Sequence, residues 1–265
     1  MYDDFYGLKR SPFSVTSDPE LFFESSSHKE ALISLLYGIR ERKGLILITG
    51  EVGTGKTVIC KILLKRLPSN IKTSLILNPF FNNSQLLQAI REDFGLEVVK
   101  KSRLDSLKAL NSFLIEINRS GGTAVLIIDE AQNLTHYQLE HIRLLTNLET
   151  SQEKLLQIIL VGQPELVTKI NQTNLRQLRQ RIFVKHNLAP LSESEIKDYV
   201  MFRIKAAGET KIEIEPASFK IIYDFSLGIP RLINMICDRA LLCGFAREQN
   251  LLDQTLFQVC KQELE

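Results

Sequence analysis

The chain has 265 residues, 44% of them hydrophobic, which excludes disorder as the default and predicts one large domain with a smaller one. Its 33 Lys and Arg nearly balance 31 Asp and Glu, and the formal charge of +2 excludes a whole-chain attraction to nucleic acid or an anionic membrane. The start, Met1 to Gly7, lacks a basic segment followed by an apolar one, and no uncharged apolar run approaches the roughly 18 residues of a membrane span. A soluble, cytoplasmic chain without a transmembrane segment is expected. Cys60, Cys237, Cys243 and Cys260 form no C-x-x-C pair and sit among apolar neighbours, so they read as buried reduced thiols.

From Gly44 to about Leu188, short apolar runs alternate with helical patterns. Leu45–Thr49, Ser74–Asn78, Ala124–Asp129, Gln157–Val161 and Ile182–Lys185 are nearly continuous in Val, Ile and Leu, which predicts parallel strands covered on both faces. Val58–Leu67 reads as the helix after the first strand. Thr135, with Gln138 three residues on, predicts a capping box before the stripe Leu139, Ile142, Leu145 and Leu148. The alternation predicts a doubly wound α/β domain over residues 1–188. Ala189-Pro190-Leu191 then marks a boundary, because proline ends a strand ladder. Residues 189–265 read as a helical lid of about four helices. Ser192 and Glu195 form a second capping box, Gly208 is a helix stop, Pro216 and Pro230 suit first turns, and the last helix starts near Asp253.

The chemistry concentrates in two motifs. Gly50-Glu51-Val52-Gly53-Thr54-Gly55-Lys56-Thr57 fits G-x-x-x-x-G-K-[ST] between an apolar strand and a helix opening at Val58. Glycines let the backbone wrap phosphates, the helix N-terminus adds positive potential, Lys56 suits the β/γ oxygens of ATP, and Thr57 suits Mg²⁺. Seventy residues on, an apolar strand ends in Asp129 and Glu130, at the carboxyl edge where open α/β sheets bind ligands. Asp129 is expected to hold the metal, and Glu130 to orient and deprotonate the attacking water. Gln163 ends the next strand and would lie near the γ-phosphate if that strand runs between the first and third. Arg176, Arg179 and Arg181 cluster before the last strand, and one of them, with Arg181 preferred, suits an arginine finger. Arg231 follows Pro230 in a helix first turn, where a cation is disfavoured unless it meets a phosphate.

Several phrases resemble the AAA+ ATPases, and in particular the ExeA/GspA-type ATPases of general (type II) secretion. They are Phe5-Tyr-Gly-Leu8, Ser11-Pro-Phe13, His28-x-Glu-Ala-Leu32, Thr49–Thr57, Asp129-Glu-Ala-Gln-Asn-Leu134, Ile159–Leu166, Leu175–Ile182 and Gly228-Ile-Pro-Arg231. The resemblance implies a five-stranded AAA+ core, Gln163 as first sensor, Arg231 as second sensor, and Asn78 as a residue that restrains Glu130. It also implies that Pro12 and Phe13 border the adenine and that the chain works as a homo-oligomeric ring. Relatives of this type often continue into a membrane span and a peptidoglycan-binding domain, so a membrane-anchored partner or a further segment is the expected link to the inner membrane.

The leading expectation is therefore an ATPase that drives conformational change in a secretion or pilus-type envelope assembly. The alternative is a DNA-binding AAA+ regulator of the transposition type. Lys100, Lys101, Arg103 and the arginines near 176–181 would supply its basic surface, but no aromatic-interleaved basic stripe accompanies them.

Overall fold

In the computed structural model, which describes residues 2–14, 16, 18–96, 103–208 and 211–265, the five apolar runs are strands. They are β1 (Leu45–Gly50), β2 (Ile71–Ile76), β3 (Thr123–Ile128), β4 (Leu156–Gly162) and β5 (Ile182–Leu188), all parallel, in the order β2-β3-β4-β1-β5. Every residue of β1 and β4, and all of β3 but Thr123, is buried, as continuous apolar runs require. The edge strands differ. β5 alternates between half-buried and exposed positions up to Leu188, and β2 buries only Ser74 and Ile76. Their polar positions blur the apolar signal, which is why β2 begins and ends earlier than expected and β5 runs on to Leu188. Asn78 therefore lies two residues beyond β2.

The helices are α1 (Tyr2–Tyr6), α2 (Ser26–Arg40), α3 (Lys56–Arg66), α4 (Asn83–Asp93), α5 (Arg103–Arg119), α6 (His136–Leu145), α7 (Pro164–Ile170), α8 (Arg176–Arg179), α9 (Glu193–Ala207), α10 (Ser218–Ser226), α11 (Pro230–Ala246) and α12 (Gln254–Leu264). Both capping boxes form. Thr135 Oγ1 accepts from Gln138 N at 3.2 Å while Thr135 N donates to Gln138 Oε1 at 2.8 Å, and Ser192 and Glu195 repeat the arrangement at α9. Gly208 caps α9, Pro230 opens α11, and Asp253 caps α12 through its carboxylate. Pro216 instead lies in the turn before α10.

By their contacts the residues fall into two units. One, of residues 30–50 and 59–188, holds the sheet and a core that includes Leu126, Ile128, Leu139, Ile142, Ile158 and Leu160. The other, of residues 1–29, 51–58 and 189–265, packs α9 to α12 around Ile204, Ile222, Ile236 and Phe257. A division at 188/189 would leave the first residues with the sheet, yet Tyr6, Leu8 and Phe13 are buried in this helical core. The Tyr6 hydroxyl lies 3.2 Å from Leu241 O and 3.1 Å from Gln249 O. This unit also holds two two-residue strands, β6 (Glu213–Ile214) and β7 (Leu251–Leu252), too short to leave a pattern in the sequence. Cys60, Cys237 and Cys260 are buried and Cys243 is half-buried; all four are free thiols.

Gly228 shows why the turn before α11 needs glycine. Its φ is +78°, and an added Cβ would lie 1.9 Å from Leu191 O, while Leu191 N donates to Gly228 O at 2.8 Å. Gly228→Ala combines left-handed strain with overpacking against backbone and should cost about 2–5 kcal/mol. The check is the urea midpoint of the circular dichroism signal; a wild-type midpoint would mean that the contact is easily relieved.

Candidate functional site

The glycine-rich loop takes its shape from its own backbone. β1 ends at Gly50 and α3 begins at Lys56, so the connection is only five residues long. Gly53 and Gly55 adopt φ of +86° and +96°. The Glu51 carbonyl closes the loop, accepting from Thr54 Oγ1 at 2.8 Å and from Lys56 Nζ at 2.8 Å. Lys56 is buried although it is a lysine, whereas Val52 is exposed. Lys56 stands in the first turn of an 11-residue helix, where the helix N-terminus and the ammonium together suit an anion such as a phosphate.

Two further side chains bear on this loop, both in the same unit. Arg231 N donates to Gly53 O at 3.3 Å, and a Cβ on Gly53 would lie 2.7 Å from the Arg231 Cβ. The start of α11 is thus held against the loop, with the exposed Arg231 side chain projecting beside it. His28 had no role assigned from the sequence. It is 4% exposed, its Nε2 lies 3.0 Å from Thr54 O, and its Nδ1 lies 2.5 Å from Ser25 Oγ. A carbonyl only accepts, so Nε2 carries the proton and donates to Thr54 O. Ser25 Oγ in turn accepts from His28 N at 3.3 Å and donates its hydroxyl hydrogen to Nδ1. A Cβ on Gly55 would lie 2.9 Å from Nε2, so glycine there leaves room for the imidazole. Pro12 and Phe13 belong to this unit as well, but as interior residues. Phe13 is 3% exposed in the helical core, and Pro12 O accepts from Arg203 Nε at 2.6 Å.

The acidic pair belongs to the sheet unit. Asp129 is 1% exposed and follows β3 directly; its Oδ1 accepts from Glu130 N at 2.9 Å. Glu130 has φ of +52°, uncommon for a residue with a Cβ, before a short 3-10 turn of Ala131–Asn133. Its Oε2 accepts from Gln132 Nε2 at 2.5 Å and from Gln163 Nε2 at 3.2 Å. β4 does run between β1 and β3 and ends at Gly162, so Gln163 follows it as the N-cap of α7, beside the acidic pair. Asn78, expected to restrain Glu130, is exposed in the loop beyond β2 and has no such bond; the two glutamines hold the carboxylate instead. Gln132 is the second residue the sequence left without a role.

The arginines before β5 divide. Arg181 is half-buried and donates from Nη1 to Thr146 Oγ1 at 2.9 Å, within its own chain, whereas Arg176 is exposed and Arg179 half-buried on α8. Lys100, Lys101 and the Arg103 side chain lie outside the described residues. Among the described residues no group of three or more His, Cys, Asp or Glu forms a metal cage. The Thr57 hydroxyl and the Asp129 carboxylate are each a hard oxygen donor of the kind Mg²⁺ takes beside water and phosphate. Among the described residues no helix is long and apolar enough to cross a membrane.

Residues 39–170 match the AAA domain family. The chain is 44% identical to general secretion pathway protein A of Aeromonas hydrophila over 248 residues, which is 93% of this chain and 45% of that protein. It thus spans less than half the length of this curated relative. Among solved structures it is similar to the ORC2 protein of Aeropyrum pernix, with a TM-score of 0.72 at 17% identity over 97% of this chain and 72% of the other. The RuvB Holliday junction branch migration motor of Thermotoga maritima gives 0.61 at 18% identity, over 92% and 73%. At such identities the likeness extends to the fold alone.

His28→Leu removes the donor to Thr54 O, and the unpaired carbonyl costs about 1–3 kcal/mol. Much of that should fall on the phosphate-binding form of the loop, weakening a fluorescent ATP analogue by about 5- to 50-fold in equilibrium titration. His28→Gln, whose amide nitrogen reaches near the position of Nε2, should hold affinity within about threefold. Equal affinity for His28→Leu and wild type would remove His28 from the site.

Proposed function

Because the chain belongs to the AAA+ ATPases of the general secretion pathway protein A type, we propose that it binds ATP with Mg²⁺ through Gly50–Val58 and hydrolyses it with Glu130 as general base. The observation that carries this reading is the buried Lys56 at the head of α3, behind a loop whose two glycines sit at positive φ. Such a loop directs backbone N–H groups and an ammonium toward the β- and γ-phosphates. Arg231, held beside Gly53, is the second cation for the phosphates and acts as second sensor. Thr57 and Asp129 would hold Mg²⁺, which neutralises charge on the β/γ oxygens when bound.

Hydrolysis then needs a water in line with the bond to be broken. The water oxygen bonds to the γ-phosphorus, the bond from that phosphorus to the β–γ bridging oxygen breaks, and the water proton passes to a Glu130 carboxylate oxygen. ADP leaves with the bridging oxygen, and phosphate leaves after it. Gln163, already in contact with Glu130, is the group that would register the γ-phosphate. In function, residues 1–188 would be the nucleotide-binding domain and 189–265 the lid, although residues 1–29 and 51–58 pack in one unit with 189–265. The chain would work in the cytoplasm as a homo-oligomeric ring, and its cycle would drive an envelope secretion or pilus-type assembly through a membrane-anchored partner.

Lys56→Ala should lose ATP binding, whereas Glu130→Gln should keep binding and lose turnover, because the lysine meets ground-state phosphates and the carboxylate acts on the water. Analogue titration and phosphate release measure the two. Wild-type turnover in Glu130→Gln would exclude Glu130 as the base.

A head-to-tail ring would turn the arginines before β5 toward a neighbouring nucleotide. A finger there is worth on the order of 10³–10⁵ in rate. Arg181 must first leave Thr146, so the test includes all three arginines. Mixing Arg181→Ala with Glu130→Gln protein should restore part of the phosphate release, since some interfaces then pair an intact Arg181 with an intact Glu130. A mixture that co-assembles by light scattering yet stays inactive rules out Arg181 in trans, and the same mixtures with Arg176→Ala and Arg179→Ala decide between the remaining two.

A further inference from the structure

We propose that Gln132 is the positioning residue for the catalytic carboxylate, holding Glu130 by one oxygen so that the other receives the proton of the attacking water. The proposal rests on the reading of Glu130 as the base.

Gln132 follows Glu130 by two residues, in the 3-10 turn that β3 runs into. Its Nε2 donates to Glu130 Oε2 at 2.5 Å, and its Oε1 accepts from the backbone N–H of Gln163 at 3.1 Å. Only this orientation of the amide satisfies both neighbours: reversed, an oxygen would face the carboxylate and an NH₂ would face an N–H. The residue is also fixed at its backbone, since Lys169 Nζ donates to Gln132 O and, at 2.9 Å, to Leu134 O. Opposite it stands Gly162, where a Cβ would lie 2.8 Å from Gln132 Oε1 and 3.3 Å from Gln132 N. The backbone at Gly162 has no positive φ, so what the position needs from glycine is space, for this side chain and for Leu166 Cδ2, also 2.8 Å from such a Cβ.

Glu130 Oε2 receives two amide donors, from Gln132 and Gln163, which leaves Oε1 for the water. The two donors are not equivalent. The Gln163 side chain is the one expected to turn toward a γ-phosphate, and when it does so its bond to Glu130 is given up. Gln132 depends on the Gln163 backbone and on Lys169, neither of which that turn removes. It therefore keeps the carboxylate in place at the step where orientation matters, and a misplacement of about 1 Å at such a group can cost on the order of 10²-fold in rate.

The test uses the full chain with three substitutions: Gln132→Met, nearly isosteric without either hydrogen bond; Gln132→Glu, which keeps the shape and the acceptor for Gln163 N but replaces the neutral donor by a carboxyl that competes with Glu130 for a proton; and Glu130→Gln as reference. Phosphate release gives kcat and KM, a fluorescent ATP analogue gives Kd, and thermal unfolding reports folding. Gln132→Met and Gln132→Glu should lower kcat by about 10- to 100-fold with Kd within about twofold of wild type, a split that a merely structural role would not produce. If Gln132→Met fails to unfold cooperatively, Gln132→Glu alone decides. Turnover within twofold of wild type in the folded Gln132 variants, beside an inactive Glu130→Gln, overturns the positioning role and leaves the base standing. A loss of Kd in proportion to the loss of rate also overturns it. An active Glu130→Gln overturns the base assignment itself and this proposal with it.

Discussion

Three adjacent strands, β3, β4 and β1, are closed off from water on both faces, and every backbone polar group in them must bond to a neighbouring strand. Parallel pairing satisfies that requirement and brings all the carboxyl ends to one edge of the sheet. On this edge the apolar runs stop and the chemistry begins: β1 ends at Gly50 and leads into the phosphate-type loop, β3 leads into Asp129 and Glu130, and β4 leads into Gln163. One ladder bond continues past the strands, from Asp129 N to Ile76 O at 2.8 Å, so the buried aspartate is fixed by the sheet itself.

Within each unit, close approaches are made at glycines. Gly53 faces the Arg231 Cβ, Gly55 faces His28 Nε2 and Gly162 faces Gln132 Oε1. In the first two the residue also supplies a positive φ, while in the third only the missing side chain counts. Each glycine therefore has a partner side chain, and two of those partners, His28 and Gln132, hydrogen-bond to Thr54 O and Glu130 Oε2, although the sequence assigned neither a role. In the helical unit the amino-terminal segment is held the same way. Arg203, 7% exposed, donates to Pro12 O and Ser14 O, and Tyr6 is fully buried. Pro12 and Phe13, which the resemblance led one to expect beside an adenine, are thus residues held by the core.

Local features of the site were legible because they depend on spacing. The glycine-rich loop, both capping boxes, the helix start near Asp253 and the Gly208 stop are each set by residues within about eight positions of one another, and they form where the pattern puts them. The central strands were legible because burial on both faces demands an unbroken apolar run. The edge strands were read with wrong limits because half their residues face solvent and carry no such demand, and the β6 and β7 pair was too short to leave any pattern.

What holds Glu130 could not be read the same way. Asn78 was the expected partner, but β2 ends at Ile76 and leaves Asn78 exposed. The partners found are Gln132, two residues away, and Gln163, thirty-three away. Their meeting follows from the register of β3 against β4, which pairs Ile128 with Leu160 and so brings the residues after each strand together. His28 reaches Thr54 across 26 positions in the same manner. By itself, then, the sequence determined the central strands, the caps and the phosphate-type loop, since short-range spacing and burial suffice for them. Which side chains complete the hydrogen bonds of the loop and of the carboxylate was decided only by the tertiary structure, because a buried polar group takes whichever donor the packing brings within about 3 Å.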